Sequence, residues 1–447
     1  MSDSEEELFD GAADDEPAPN VMPWANLPQR WGHPWHSMCS YLGAYPAALA
    51  RSFITLLTEP GDVVLDPFSG RGTTLLECRL TGRIPLASDL NPIAVALTRA
   101  KNATIALDDV LARIDGLEAK YDALLYVPEA QVQADDILLI YHPRTLAQLC
   151  YLRRRLVWAR DVDAFIIGAV LGIMHGAVRQ DGSSSYASIS MPNTFSMSPE
   201  YVRKFVETNR LQRVDRNVFA LLRAKVQRLF REGIDLKASG VVVRADAKNL
   251  TAVPEFAPYT GKVKLILCSP PYLDVVNYAK QNWIRSWFLS EHPDAISEDL
   301  DDNLTLADWL AFAKQVSQQM KTMLAPTGAA VLVIGDVAKA NRSVSLAREF
   351  IRHMLHDNTF GYVGCLSDHI QTDSKTTRIW KDTKGQATNV DRVVVLANTS
   401  PLFDFAGIEE AMFRAASVNM EHVSAAEMAA YARTFAGGHD MPSGKAS

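Results

Sequence analysis

Two short runs have the residue types and spacing of a reactive site. The first is Asp66-Pro67-Phe68-Ser69-Gly70-Arg71-Gly72-Thr73. The β-branched stretch Val63-Val64-Leu65 leads into it, and a helical stretch from Thr73 to about Leu80 leaves it. A strand entering a glycine turn and then a helix presents backbone N–H groups and the positive helix end to a small anionic or zwitterionic ligand. Asp89 stands 17 residues beyond Gly72, at the predicted end of the next strand, where a carboxylate can accept two hydrogen bonds from a ribose diol. Together they imply a nucleoside cofactor. The same residues also fit a plain tight turn with Asp89 capping the helix that follows. Leu75 stands where a dinucleotide fingerprint has its third glycine, and there is no phosphate-loop motif.

The second run, Ser269-Pro270-Pro271-Tyr272, follows the apolar stretch Leu265 to Cys268. Two prolines fix φ and keep a helix from starting, so the carbonyls of the turn can be held facing a cleft. An exocyclic amino group needs such acceptors. With its two N–H bonds accepted by the Ser269 hydroxyl and the Pro270 carbonyl, the nitrogen lone pair can leave conjugation and attack an electrophile. Tyr272 would offer a flat face to an unstacked base, a contact worth about 1–3 kcal/mol. An ordinary strand-ending turn with Tyr272 in the core is the plainer alternative.

These runs must be positioned by regular elements. Apolar residues at helical spacing from Ala44 to Thr58 predict a helix that Pro60-Gly61 ends, and Ile84 to Ala87 predicts a second strand before a helix opened by Asn91-Pro92. Two successive β-α units point to an α/β fold with a mostly parallel, doubly wound sheet. Strand patterns return at Val241 to Val243, Val263 to Leu267 and Ala329 to Ile334, with an amphipathic helix at Leu306 to Met323. Tyr362 to Ile370 and Arg392 to Leu396 fit a closing pair of strands, and Ile408 to Phe435 further helix. The organisation expected is an acidic disordered tail (1–20), a first core part (21–104), a mainly helical insertion (105–240), a second core part (241–400) and C-terminal helices with a flexible tail (401–447).

With 447 residues, 48% apolar and 22% charged, the chain has the balance of a soluble globular protein, not of a disordered, collagen-like or disulfide-scaffold chain. No apolar run reaches the roughly 20 residues of a membrane span. Phe165 to Ala177 contains His175 and fits a buried helix. An acidic N-terminus and five scattered cysteines without a C-x-x-C pair suit a reducing cytoplasm. The first 20 residues hold eight acids and no Lys or Arg, so the remainder of this chain of net charge -7 carries about +1. Residues 144–231 hold fifteen Lys and Arg against six acids, which suits a polyanion.

Taken together, Tyr45-Pro46 to Thr58, Pro60-Gly-Asp-Val-Val-Leu-Asp-Pro-Phe-Ser-Gly-Arg-Gly-Thr-Thr74, Ser88-Asp-Leu-Asn-Pro92, Ala245-Asp-Ala247 and Ser269-Pro-Pro-Tyr272 resemble the S-adenosylmethionine-dependent DNA methyltransferases that modify cytosine N4 or adenine N6. The resemblance implies a Rossmann-like methyltransferase fold, S-adenosylmethionine as cofactor and double-stranded DNA, with its target base flipped out, as partner. It implies a methionine subsite lined by Asp66, Phe68, Gly70 and Gly72, with Pro67, Ser69 and Thr73 in the same turn and Tyr45 on the adjoining helix. Asp89 would hold the ribose, with Asn91 beside it, and Asp246 with Ala247 would approach the adenine. Ser269, Pro270, Pro271 and Tyr272 would form the catalytic turn. A serine at its head is typical of cytosine-N4 members. Carbon-5 methylation would need a nucleophilic cysteine, and Cys268 belongs to a buried strand. The chain differs from the usual layout in the long insertion between Asp89 and Asp246. An adenine-N6 DNA or RNA enzyme would use the same residues, and a non-catalytic nucleic-acid-binding subunit would keep the fold without turnover. A restriction nuclease or another defence-system partner is compatible with the resemblance.

Within the insertion, Arg203, Lys204, Arg210, Arg213 and Arg216 could attract a phosphate backbone, or form only a solvated face. The segment Asp181 to Ser198, with Asn193, has groups that base readout uses, and equally suits a surface loop or lid. His33, His36 and Cys39 lack a fourth ligand, and the chemistry above needs no metal, so no metal site is expected.

Overall fold

The apolar runs between the turn residues pair into one eight-stranded sheet in the computed structural model, which describes residues 31–398 apart from 192–197, 272–280, 294, 297–299, 301–303, 340–341, 357–358 and 370–385. Tyr272, Asn193, the acidic tail and the stretch from 401 onward lie outside the described residues. The strands are β1 (Val63–Asp66), β2 (Ile84–Asp89), β3 (Val241–Arg244), β4 (Val263–Cys268), β5 (Leu324–Lys339), β6 (Arg342–Val344), β7 (Gly361–His369) and β8 (Gln386–Ala397). Their order is β3-β2-β1-β4-β5-β8-β7, with β6 paired to β5. The first five of that order run parallel, and β8 is antiparallel to both β5 and β7. The expected parallel, doubly wound sheet is therefore present, with the closing pair of strands at its far edge.

Chain order reverses at β1: β2 and β3 are laid down on one side, β4 and β5 on the other. The crevice at such a switch point opens at the carboxyl ends of the strands. Asp66, Asp89, Arg244 and Cys268 end four adjacent strands at that edge.

Alternation along the strands divides the core into two layers. Val64, Leu265, Leu267, Ala329 and Val331 face helix α1 (Ala47–Leu57). Leu65, Ile266, Cys268, Ala330 and Leu332 face the opposite layer, where the helix Leu306–Met323 supplies Trp309, Phe312 and Val316. Helices α2 (Thr73–Leu80) and α3 (Pro92–Asn102) follow β1 and β2. The stretch expected to be helical forms α4 (Leu107–Glu118), α5 (Ala123–Gln131), α6 (Asp135–Ile140), α7 (Pro143–Arg155), α8 (Asp161–Leu171), α9 (Pro199–Asn209) and α10 (Val218–Leu229). Its core is continuous with α3: Ile93, Leu97 and Ala100 share one apolar cluster with Phe165, Val170, Phe219 and Leu222. Beyond it come α11 (Trp283–Leu289), α12 (Leu306–Met323) and α13 (Leu346–His356).

Two local expectations are modified. The apolar run from Phe165 ends its helix at Leu171, and Gly172 passes so close to Met38 that a Cβ there would lie 1.8 Å from the Met38 carbonyl oxygen. The loop after Gln180 is not wholly a surface loop. Ala187, Ile189 and Met191 are buried, and their N–H groups donate to Ile173, Ile140 and Gly176.

Candidate active site

The glycine turn is built by backbone geometry. Gly70 and Gly72 both have positive φ, +50° and +74°, a region that L side chains disfavour by roughly 1–2 kcal/mol per residue. Gly72 caps α2, and a Cβ there would meet Thr98 at 3.0 Å. The Thr98 hydroxyl donates to Ser69 Oγ (3.1 Å) and to the Gly70 carbonyl (3.2 Å), which locks the turn onto α3. Gly72→Ala is therefore expected to lower thermal stability by about 1–3 kcal/mol, strain and overpacking combined, whereas Gly70→Ala, whose Cβ would stand 3.6 Å from the Tyr41 ring, costs only the backbone term. Thermal unfolding of the two variants without ligand checks the order.

Asp89 ties this turn to the next strand. Its carboxylate accepts from Gly70 N (2.9 Å) and Asn91 N (2.9 Å), and burial raises its pKa to about 6. Asn91 caps α3 by accepting from Ile93 N and donates to the Tyr41 hydroxyl at 3.0 Å. Past β3, Asp246 accepts from Lys248 N at 2.8 Å and faces the Lys248 ammonium at 3.6 Å. Past β4, the Pro271 carbonyl accepts a 2.7 Å bond from the indole of buried Trp309 on α12, which fixes the proline turn to the layer beneath.

These pieces share one cleft, with about 820 Å³ of space between its walls when the open mouth is included. Its walls hold Tyr45, Pro67, Phe68, Ser69, Gly70, Thr73, Asp89, Asn91, Asp246, Ala247, Ser269 and Pro271. Three residues expected on the wall are elsewhere. Asp66 is 2% exposed behind it, accepting from the Tyr45 hydroxyl (3.1 Å) and Phe68 N (3.1 Å), and burial raises its pKa to about 7. Gly72 packs on Thr98. Both shape the turn from behind. Pro270, between Ser269 and Pro271, is half-buried and is not on the wall. The wall also contains Arg71, Leu300 and Phe312, which the motifs did not single out. Phe312 lies 6.0 Å from Phe68, ring centre to ring centre, and its only sequence signal was the apolar face of an amphipathic helix.

Cys268 is fully buried in β4, and burial pushes its thiol pKa well up. A buried neutral thiol is not the nucleophile that carbon-5 chemistry needs. His33 and His36 turn to the Gly233 carbonyl and to Glu77, and the Cys39 thiol turns to the Leu171 carbonyl. Of the basic residues in the helical stretch, Arg203 pairs with Asp136 at 2.6 Å, Arg213 donates to the Leu138 carbonyl and Arg216 is half-buried. Lys204 and Arg210 are exposed without an ion-pair partner among the described residues. Among those residues no helix is long and apolar enough to cross a membrane.

Residues 26–98 match the DNA methylase family. Type II methyltransferase M.XycI of Xanthomonas campestris pv. cyanopsidis is 43% identical over 58 residues, 13% of this chain and 19% of that relative. Type II methyltransferase M.MthZI of Methanothermobacter thermautotrophicus is 31% identical over 116 residues, 24% of this chain and 33% of that relative. The chain thus spans about a third or less of the length of these relatives. Among solved structures, TrmN from Thermus thermophilus superimposes with a TM-score of 0.31 at 12% identity, covering 81% of this chain and 52% of that one. The likeness to the DNA methylase family lies in the segment 26–98, which contains the glycine turn and Asp89.

Proposed function

We propose that this protein is an S-adenosylmethionine-dependent DNA methyltransferase acting on the exocyclic amino group of a flipped base, with cytosine N4 as the acceptor. One observation carries the reading: Ser269 and Pro271, after β4, line the same cleft as the glycine turn after β1 and the carboxylates after β2 and β3. The donor set suits the cofactor. Asp89 and Asp246 offer acceptors to hydroxyl and amino groups, and Phe68 and Phe312 offer apolar faces to a flat ring. When bound, the cofactor supplies an electrophilic methyl group on a sulfonium.

The chain's own residues then align and accept. The Ser269 hydroxyl, on the cleft wall, accepts an amino N–H bond, so that the nitrogen lone pair forms the new N–C bond as the S–C bond breaks, and one amino proton leaves to solvent. Alignment and fixed dipoles supply the rate, without a covalent enzyme intermediate. The serine at the head of the turn supports cytosine N4 by its likeness to such enzymes, and buried Cys268 speaks against carbon-5 transfer. Exposed Lys204 and Arg210 on the helical stretch 105–240 suit a DNA backbone.

The test is incubation with methyl-labelled S-adenosylmethionine and mixed-sequence duplex DNA, followed by nucleoside digestion and mass analysis. N4-methylcytosine is the expected product. N6-methyladenine would move the acceptor to the other base, and no methylated nucleoside from protein that binds the cofactor would overturn the catalytic reading.

A further inference from the structure

Arg71 stands between the two positive-φ glycines of the turn and is the one cationic residue among the described residues lining the cleft. Its carbonyl accepts from the ammonium of buried Lys101 at 2.6 Å, and its Nε donates to the Thr73 hydroxyl at 3.3 Å. No carboxylate among the described residues lies within ion-pair distance of its guanidinium. Burial lowers its pKa, as it does those of its neighbours Lys101 and His36. A partly desolvated guanidinium with no anion beside it is costly unless a ligand completes it. The carboxylates on the cleft wall, Asp89 and Asp246, follow β2 and β3, and Asp89 is committed to Gly70 N and Asn91 N.

A zwitterionic ligand entering this cleft meets acceptors at one end and an unmatched cation at the other. We propose that Arg71 anchors the α-carboxylate at the amino-acid end of the cofactor and so sets its direction in the cleft. Asp89 and Asp246 offer acceptors to the hydroxyl and amino groups of the adenosine end, so the two ends sort themselves. Arg71 is a positioning residue, and the inference rests on the cofactor reading above.

The test is calorimetric binding of two thioethers, S-adenosylhomocysteine, which has the amino-acid end, and 5′-methylthioadenosine, which lacks it. Arg71→Gln is expected to weaken S-adenosylhomocysteine roughly 10- to 100-fold, the worth of a charge-assisted pair, and to leave 5′-methylthioadenosine within about twofold. Arg71→Lys should recover part of the loss, and it carries the comparison if the glutamine variant does not fold. Equal weakening of both ligands would show a structural role and overturn the anchor, as would no change in either. Wild-type protein that binds 5′-methylthioadenosine as tightly as S-adenosylhomocysteine would overturn the anchor and leave the cofactor reading standing. Wild-type protein that binds neither would remove both.

Discussion

Ser269→Ala is expected to lower turnover on duplex DNA about 100-fold while leaving the affinity for S-adenosylhomocysteine within about threefold. The separation follows from position. Ser269 lines the cleft after β4, across the switch point from the glycine turn and Asp89, so the adenosyl contacts do not run through it. Its hydroxyl is needed where the amino group loses conjugation, and removing one such preorganised dipole typically costs on the order of 10²-fold or more in rate. The backbone of the turn survives the change, since prolines hold φ on the far side and Trp309 still donates to the Pro271 carbonyl. Single-turnover rates with saturating cofactor, set beside calorimetric binding, check the split. A variant with undiminished turnover would remove Ser269 from the chemistry, and one that loses cofactor affinity in proportion would make the turn part of the cofactor wall.

Much of this arrangement was legible because local signals and global fold agreed. Val63 to Leu65, the glycine pair and Thr73 to Leu80 read as strand, turn and helix, and they form β1, the turn and α2. The amphipathic helix has the expected bounds, Leu306–Met323, since its apolar spacing and the Thr305 cap coincide. Asp66 was misplaced on the cleft wall, although the pleat contained the answer. Val64 faces the α1 layer, so Asp66, two residues on, points the same way, beneath Tyr45 of the α1 entry.

What the chain could not disclose locally depends on distant partners. The need for a residue without a side chain at position 172 is set by Met38. The burial of Ala187 and Ile189 depends on carbonyls of Ile173 and Ile140. The basic stretch was visible as composition, but Arg203 is matched by Asp136 and Arg223 by Asp115 and Glu118, acids on other helices. Much of that positive charge is therefore matched inside the protein.

Asp89 should make cofactor affinity depend on pH in a window that few carboxylates reach. Burial holds its pKa near 6, well above the usual carboxylate range, so near pH 6 about half of the ligand-free protein carries the neutral form. The neutral carboxyl loses acceptor capacity, and ribose hydroxyls need acceptors. Bound hydroxyls stabilise the ionised form and lower the pKa, so binding near pH 6 should release about half a proton. The sign is then set: affinity for S-adenosylhomocysteine is full above about pH 7 and falls roughly tenfold by pH 5. In the ligand-free fold the sign for stability is opposite, because a raised pKa favours the protonated form, and that contribution is lost as pH rises through 6. Asp89→Asn should weaken binding at pH 7.5 on the order of 100-fold. The amide replaces a charge that accepts hydroxyl donors, and it cannot accept from both Gly70 N and Asn91 N, so the turn loosens with it. The same substitution should flatten the pH profile, leaving whatever slope Asp66 contributes from behind the wall near pH 7. Calorimetric titrations at pH 5 to 8, in buffers of different ionisation enthalpy, read affinity and proton release together. An affinity that does not change between pH 7 and 5 in the wild-type protein would sink the assignment of Asp89 to the ribose.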